Sequence, residues 1–208
     1  MGVSLDAIWT AFRYEWHLQF NWMWVNFVLA VVPGIGALVL HHWWRRLPGA
    51  RWALLVGVAL LLPNAPYVVT DLVHLHTWAE LAPSRLDLWA GVLPLVGLLI
   101  ASGVLSYGYT MHALRSAMRA KGWTRRARLL SEALVDVLCA VGVALGRISR
   151  LNSWDVLQPG RVAHGLETLV LDPRAVVLAL IIVVLADLAV DWVASGAAHS
   201  VQARLRQR

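Results

Sequence analysis

Apolar residues gather into five long segments separated by short polar stretches, and this alternation predicts an all-α integral membrane protein built as a bundle of about five transmembrane helices. The first segment covers residues 21–40, with Trp22 and Trp24 at one end and Trp43 and Trp44 just past the other. Aromatic side chains at both ends of a span suit the two membrane–water interfaces. The second, 52–69, is continuous only to Leu62 before Pro63 and Pro66 interrupt it, unless it continues through them to about Val69. The third, fourth and fifth cover 88–107, 129–145 and 175–193. A helix rising 1.5 Å per residue needs roughly 20 apolar residues to cross about 30 Å of hydrocarbon, and most of these segments approach that length. Pro63 and Pro66 lack backbone donors and disfavour helical geometry in the residue before them, so the second helix is expected to stop at about Leu62.

Composition agrees. The chain is 59% hydrophobic and 14% charged, against about 25% charged in soluble domains, so a single integral domain over 1–208 is the economical reading. The lone Cys139 lies in an apolar run, which leaves no disulfide framework and no paired-cysteine metal site. Asp6, Arg13 and Glu15 precede the first apolar run, where a cleaved leader would begin with a basic stretch and a short apolar core, so the segment is expected to be retained. Trp9, Phe12, Trp16 and Phe20 recur at helical spacing. Two readings fit that stripe, an amphipathic helix along the interface and a plain extension of the first span.

Charge then orients the bundle. With five spans, twelve Lys and Arg residues fall on one side and six on the other, which places the N-terminus outside and the C-terminus inside. Arg115, Arg119, Lys121, Arg125, Arg126 and Arg128 form the strongest block; it reads first as a topological anchor and second as a contact for anionic lipid. The formal net charge of +6 is thereby explained by topology and not by nucleic acid. All but one of the basic residues are arginine, which suits a GC-rich bacterial gene and hence a bacterial inner membrane.

This orientation brings two polar stretches to the outer face. The first is LPNAPYVVTDLVHLH, residues 62–76. Asn64 can cap freed backbone groups, Tyr67 and Thr70 follow, and a short helix is expected from Thr70 or Asp71, with Leu72, Leu75 and Trp78 on one side. Asp71 and His74 then share a face, as a helix cap beside interfacial histidines, as two metal ligands, or as an acid orienting an imidazole for proton transfer. A divalent metal needs more ligands, and Asp155, His164, Glu80, Glu15 and His17 are the candidates. The second stretch is GRISRLNSWDVLQPGR, residues 146–161, in which Arg147 and Arg150 precede Asn152, Ser153, Trp154 and Asp155. Outer-face arginines oppose the basic bias, so they are expected either to pair with Asp71 or Asp155 or to hold a phosphate or carboxylate.

Together LPNAPYVVTDLVHL and GRISRLNSWDVL resemble the signature segments of the bacterial membrane protein family called domain of unknown function 1361. The resemblance implies a multi-pass membrane protein over most of the chain. That family carries no established activity, so it implies no catalytic residue. Its motif positions, here Asn64, Pro66, Tyr67, Thr70, Asp71, His74, Asn152, Ser153, Trp154 and Asp155, coincide with those singled out on chemical grounds.

Four acids lie within apolar segments. Glu132 and Asp136 are one turn apart on the fourth span, and Asp187 and Asp191 on the fifth. Ionisable groups at membrane depth are costly and point to function by default. They support a proton or cation path, while arginines of the basic block or the tail could instead neutralise Glu132 and Asp191. The spacing of Gly142 and Gly146 suits close helix packing. No P-loop, dinucleotide fingerprint, zinc-protease or serine-hydrolase motif occurs. Two functions follow: an outer-face site that binds or modifies a lipid headgroup or envelope component, and a small transporter or accessory subunit using Asp136 and Asp187. Whether the protein is an enzyme stays open at this point.

Overall fold

A computed structural model of the protein describes residues 5–82 and 84–206. It contains α1 (Leu5–Trp43), α2 (Ala50–Leu61), α3 (Asn64–Tyr67), α4 (Leu75–Leu81), α5 (Leu93–Ala120), α6 (Arg125–Ile148), α7 (Pro159–Leu171) and α8 (Arg174–Arg206), with no strand among the described residues. Five stretches are long and apolar enough to cross a membrane: Met23–Arg46, Ala50–Glu80, Asp87–Ala120, Arg125–Ile148 and Arg174–Trp192. Tyr107, Met111, Val143 and Val183 are fully buried where α5, α6 and α8 meet.

α1 runs without a break from Leu5, so the aromatic N-terminal segment continues the first span and does not form a separate helix. Trp9 is exposed; the side chains of Phe12, Trp16, Phe20, Glu15 and His17 lie outside the described residues.

The second segment breaks where expected, and the span nonetheless continues through the prolines. α2 does end at Leu61, yet Leu62, Pro63 and Val68 all keep helical dihedrals and the chain continues to Glu80. The reason lies in donor arithmetic. Pro63 is the N-cap of α3 and Pro66 sits in its first turn, where backbone N–H groups have no intrahelical partner, so the missing donors cost little there. The carbonyl of Leu61 accepts instead from Asn64 Nδ2 at 2.9 Å. The direction is also kept. Gly36 of α1 lies against Val58, while Asn26 meets Asp71; ten residues up α1, about 15 Å at helical rise, match thirteen along the second segment. The expected helix start at Thr70 or Asp71 is not found. A 3-10 stretch covers Val68–His74, and the Thr70 hydroxyl turns back to the Tyr67 carbonyl at 2.6 Å. Neither residue caps α4.

Close approach to this broken segment requires glycine on its neighbours. A Cβ at Gly103 of α5 would run into the Ala65 carbonyl oxygen, and one at Gly142 of α6 would stand 2.7 Å from Pro63. Gly146, one turn on, faces the Tyr67 ring, so the two small residues of the fourth span pack on α3.

Two loops differ from the pattern drawn on hydropathy. α5 extends to Ala120, which puts Arg115 and Arg119 on the helix and not in the basic loop. It ends on Gly122 at φ 73°, and Thr124 caps α6 by accepting from Ala127 N–H at 3.2 Å. Between the last two spans, the polar stretch holds a 3-10 turn (Ser153–Leu157) and α7, whose Gly165 rests against Leu145 and Leu151.

Candidate functional site

Both polar stretches arrive at one end of the bundle, here called the Asp71 end, and they touch. Asn64 Nδ2 donates to Ser153 Oγ at 2.7 Å as well as to the Leu61 carbonyl, so one amide both mends the proline break and joins the second segment to the loop after α6. Asp71 is 3% exposed and accepts from Asn26 Nδ2 at 3.3 Å; Arg147 Nη1 stands 3.5 Å from its other oxygen. The second Arg147 amine lies 3.2 Å from His74 Nε2. A guanidinium only donates, so His74 accepts at Nε2 and carries its proton on Nδ1. Arg147 therefore stands between Asp71 and His74, and Asp71 does not orient the imidazole.

Asp155, 1% exposed, serves its own loop. Its carboxylate accepts from Asn152 N–H at 2.8 Å in a reciprocal cap of the Ser153–Leu157 turn, and from Arg161 Nη1 at 2.5 Å. Trp154 beside it is 53% exposed. His164 is exposed and faces Glu167 at 3.8 Å, while His76 faces Glu80 at 3.4 Å. Among the described residues no three His, Cys, Asp or Glu side chains gather to hold a metal ion. Asp71, His74, Asp155 and His164 are thus not brought into one ligand set, and the Nε2 lone pair of His74 is already taken.

A cavity of about 720 Å³ opens beside these groups, within the range of roughly 300–1,000 Å³ usual for small-ligand sites. Its polar end is formed by Asn26, Asn64, Arg147, Arg150, Ser153 and the acidic Asp155. Its apolar wall comes from Leu29 of α1, Leu60 of α2 and Leu138 and Val141 of α6. Arg150 reaches it from a backbone at φ 49° just beyond the end of α6.

Sequence reasoning missed two participants. Asn26 is an isolated amide inside the first apolar segment, and that isolation was the signal. Arg161 takes Asp155, the partner expected for Arg147 or Arg150; its place six residues on, one turn into α7, left no mark in the sequence pattern.

At the opposite end, Arg115 binds all but one of the intramembrane acids. Its Nε donates to Glu132 at 3.1 Å, one amine to Asp187 and the other to Asp191 at 2.9 Å. Asp136 accepts from the Tyr107 hydroxyl at 2.6 Å. One guanidinium thus ties α5 to α6 and α8.

Comparison with curated proteins and with solved structures finds no match. The model of the family described as "Protein of unknown function (DUF1361)" matches residues 24–188, which include both polar stretches and all five spans in whole or large part, and the chain belongs to that family.

Proposed function

We propose that the protein is a multi-pass membrane protein of the bacterial inner membrane that binds an amphiphile, a lipid or a lipid-linked envelope component, in the cavity at its Asp71 end. The observation that carries this reading is the division of the cavity into a polar end with Arg147, Asn64 and Ser153 and an apolar wall of Leu29, Leu60 and Leu138. A headgroup fits the first and a hydrocarbon chain the second. The excess of basic residues at the other end supports placing the Asp71 end outside and the C-terminus inside. Arg119, Lys121, Arg125 and Arg126 then meet the anionic inner leaflet. Binding is favoured over turnover because Arg147 engages both Asp71 and His74, the groups that acid–base chemistry would need free.

The test is lipid retention by the purified protein in mild detergent, read by native mass spectrometry. Wild type is expected to carry a bound lipid, and Ala59→Trp, which fills the cavity from an exposed position on α2, to lose it. Equal retention by the two would sink the proposal.

A further inference from the structure

Among the described charged residues that line the cavity and their ion-pair partners, pairing leaves one cation over. Arg147 faces Asp71 at 3.5 Å and Arg161 faces Asp155 at 2.5 Å. Arg150 lines the cavity and is exposed, and it makes no hydrogen bond or ion pair among the described residues. Three guanidinium groups therefore stand against two carboxylates.

The backbone supplies a second, independent observation. Arg150 is the one non-glycine residue at positive φ among the described residues. α5 ends in the same way one residue past its C-cap, but there the left-handed position is held by Gly122. The N–H groups of Gly122 and Trp123 close on the carbonyls of Arg119 and Met118, the common glycine-terminated helix end. A Cβ is disfavoured in this conformation. Among the described residues the Arg150 guanidinium has no partner that would explain an arginine there.

We propose that Arg150 is the specificity-determining residue of the cavity and that its ligand is a lipid phosphodiester of net charge −1. The assignment rests on the amphiphile-binding reading above and names its headgroup. The phosphate oxygens accept the bidentate fork of Arg150, and the chain follows Leu29, Leu60 and Leu138. One surplus guanidinium matches a monoanion. A zwitterionic head brings its own cation to a site already rich in arginine, and a dianionic monoester calls for a second unpaired cation that the described lining of the cavity does not supply.

The experiment uses the full chain in nanodiscs of phosphatidylcholine doped with phosphatidylglycerol or with phosphatidic acid, and retained lipid is counted by native mass spectrometry. Wild type is expected to prefer phosphatidylglycerol to phosphatidylcholine roughly five- to tenfold, as suits one charge-assisted contact. Arg150→Gln should bring the preference to within about twofold of none while lipid is still retained. Arg150→Gly should do the same, with a backbone that accepts the left-handed turn. Full preference in both variants would overturn the role of Arg150 and leave lipid binding standing. Stronger retention of phosphatidic acid would overturn the monoanion assignment. Complete displacement of phosphatidylglycerol by millimolar inorganic phosphate would make a soluble phosphate the ligand and overturn the lipid assignment. No retained lipid in wild type, or none lost in Ala59→Trp, would instead bring down the cavity reading itself.

Discussion

Arg115 and Arg147 stand at opposite ends of the bundle and put the same side chain to different use. Arg115 is 15% exposed and engages Glu132, Asp187 and Asp191 from two other helices. Arg147 is 30% exposed, has one carboxylate at 3.5 Å and one imidazole at 3.2 Å, and borders a cavity. The contrast shows that local charge balance decides whether an arginine in a membrane bundle acts as a joint or as part of a site. Where carboxylates outnumber guanidinium groups, the cation is used up within the protein. Where guanidinium groups outnumber carboxylates, as with Arg147, Arg150 and Arg161 around Asp71 and Asp155, one cation is left over, and on the proposal above an anion from outside completes the set. Charges removed from water must be paired, as Glu132 and Asp187 are by Arg115.

The largest expected effect breaks the joint. Arg115→Met leaves Glu132 and Asp187 without their partner in a setting 18% and 10% exposed, and loss of one member of such a buried set costs about 3–5 kcal/mol. Thermal unfolding of the detergent-purified protein should show a large drop in midpoint. An unchanged midpoint would mean that the acids are accommodated without the arginine and that the contrast is not one of pairing.

Asp71→Asn probes the other end more gently. Arg147 keeps access to water, so the stability loss should stay below about 1 kcal/mol. Its charge is now released toward the cavity, and retention of anionic over zwitterionic lipid should rise roughly two- to fivefold. A fall in that ratio would show Asp71 serving the ligand directly.

The smallest effects come from exchanging the two helix ends. Arg150→Gly should raise stability by about 1 kcal/mol and Gly122→Arg lower it by about the same amount, since each changes one left-handed position. Opposite signs in the unfolding midpoint sharpen the comparison between the two ends. Matching signs would mean that packing around Arg150, and not its backbone, sets the cost.

Much of the fold was legible in the sequence. The five spans followed from apolar length and flanking tryptophans, and the small-residue face at Gly142 and Gly146 from its spacing. The misread parts have physical causes. Hydropathy ends a span where charge begins, but backbone hydrogen bonding does not, so Arg115 remains helical to meet three acids. Pro63 and Pro66 end α2 but not the span, because their missing donors fall at the cap and in the first turn of α3, where they have no partner to lose. Of the site, both polar stretches were identified and their contact was left open. Asn26 carries no charge to mark it within an apolar run, although an amide in hydrocarbon needs a partner too.

What the sequence alone determined is the number of spans and which segments are too polar to rest in hydrocarbon. Those are one-dimensional demands, since each helix must satisfy its own backbone and cover about 30 Å. Which charge meets which was decided only in three dimensions. His74 and Arg147 are 73 residues apart, and Asn64 and Ser153 are 89. They meet because α3 and α6 run side by side, with Gly142 against Pro63 and Gly146 against Tyr67. That match in depth, set by packing between helices distant in the chain, is what leaves Arg150 at the cavity without a partner among the described residues.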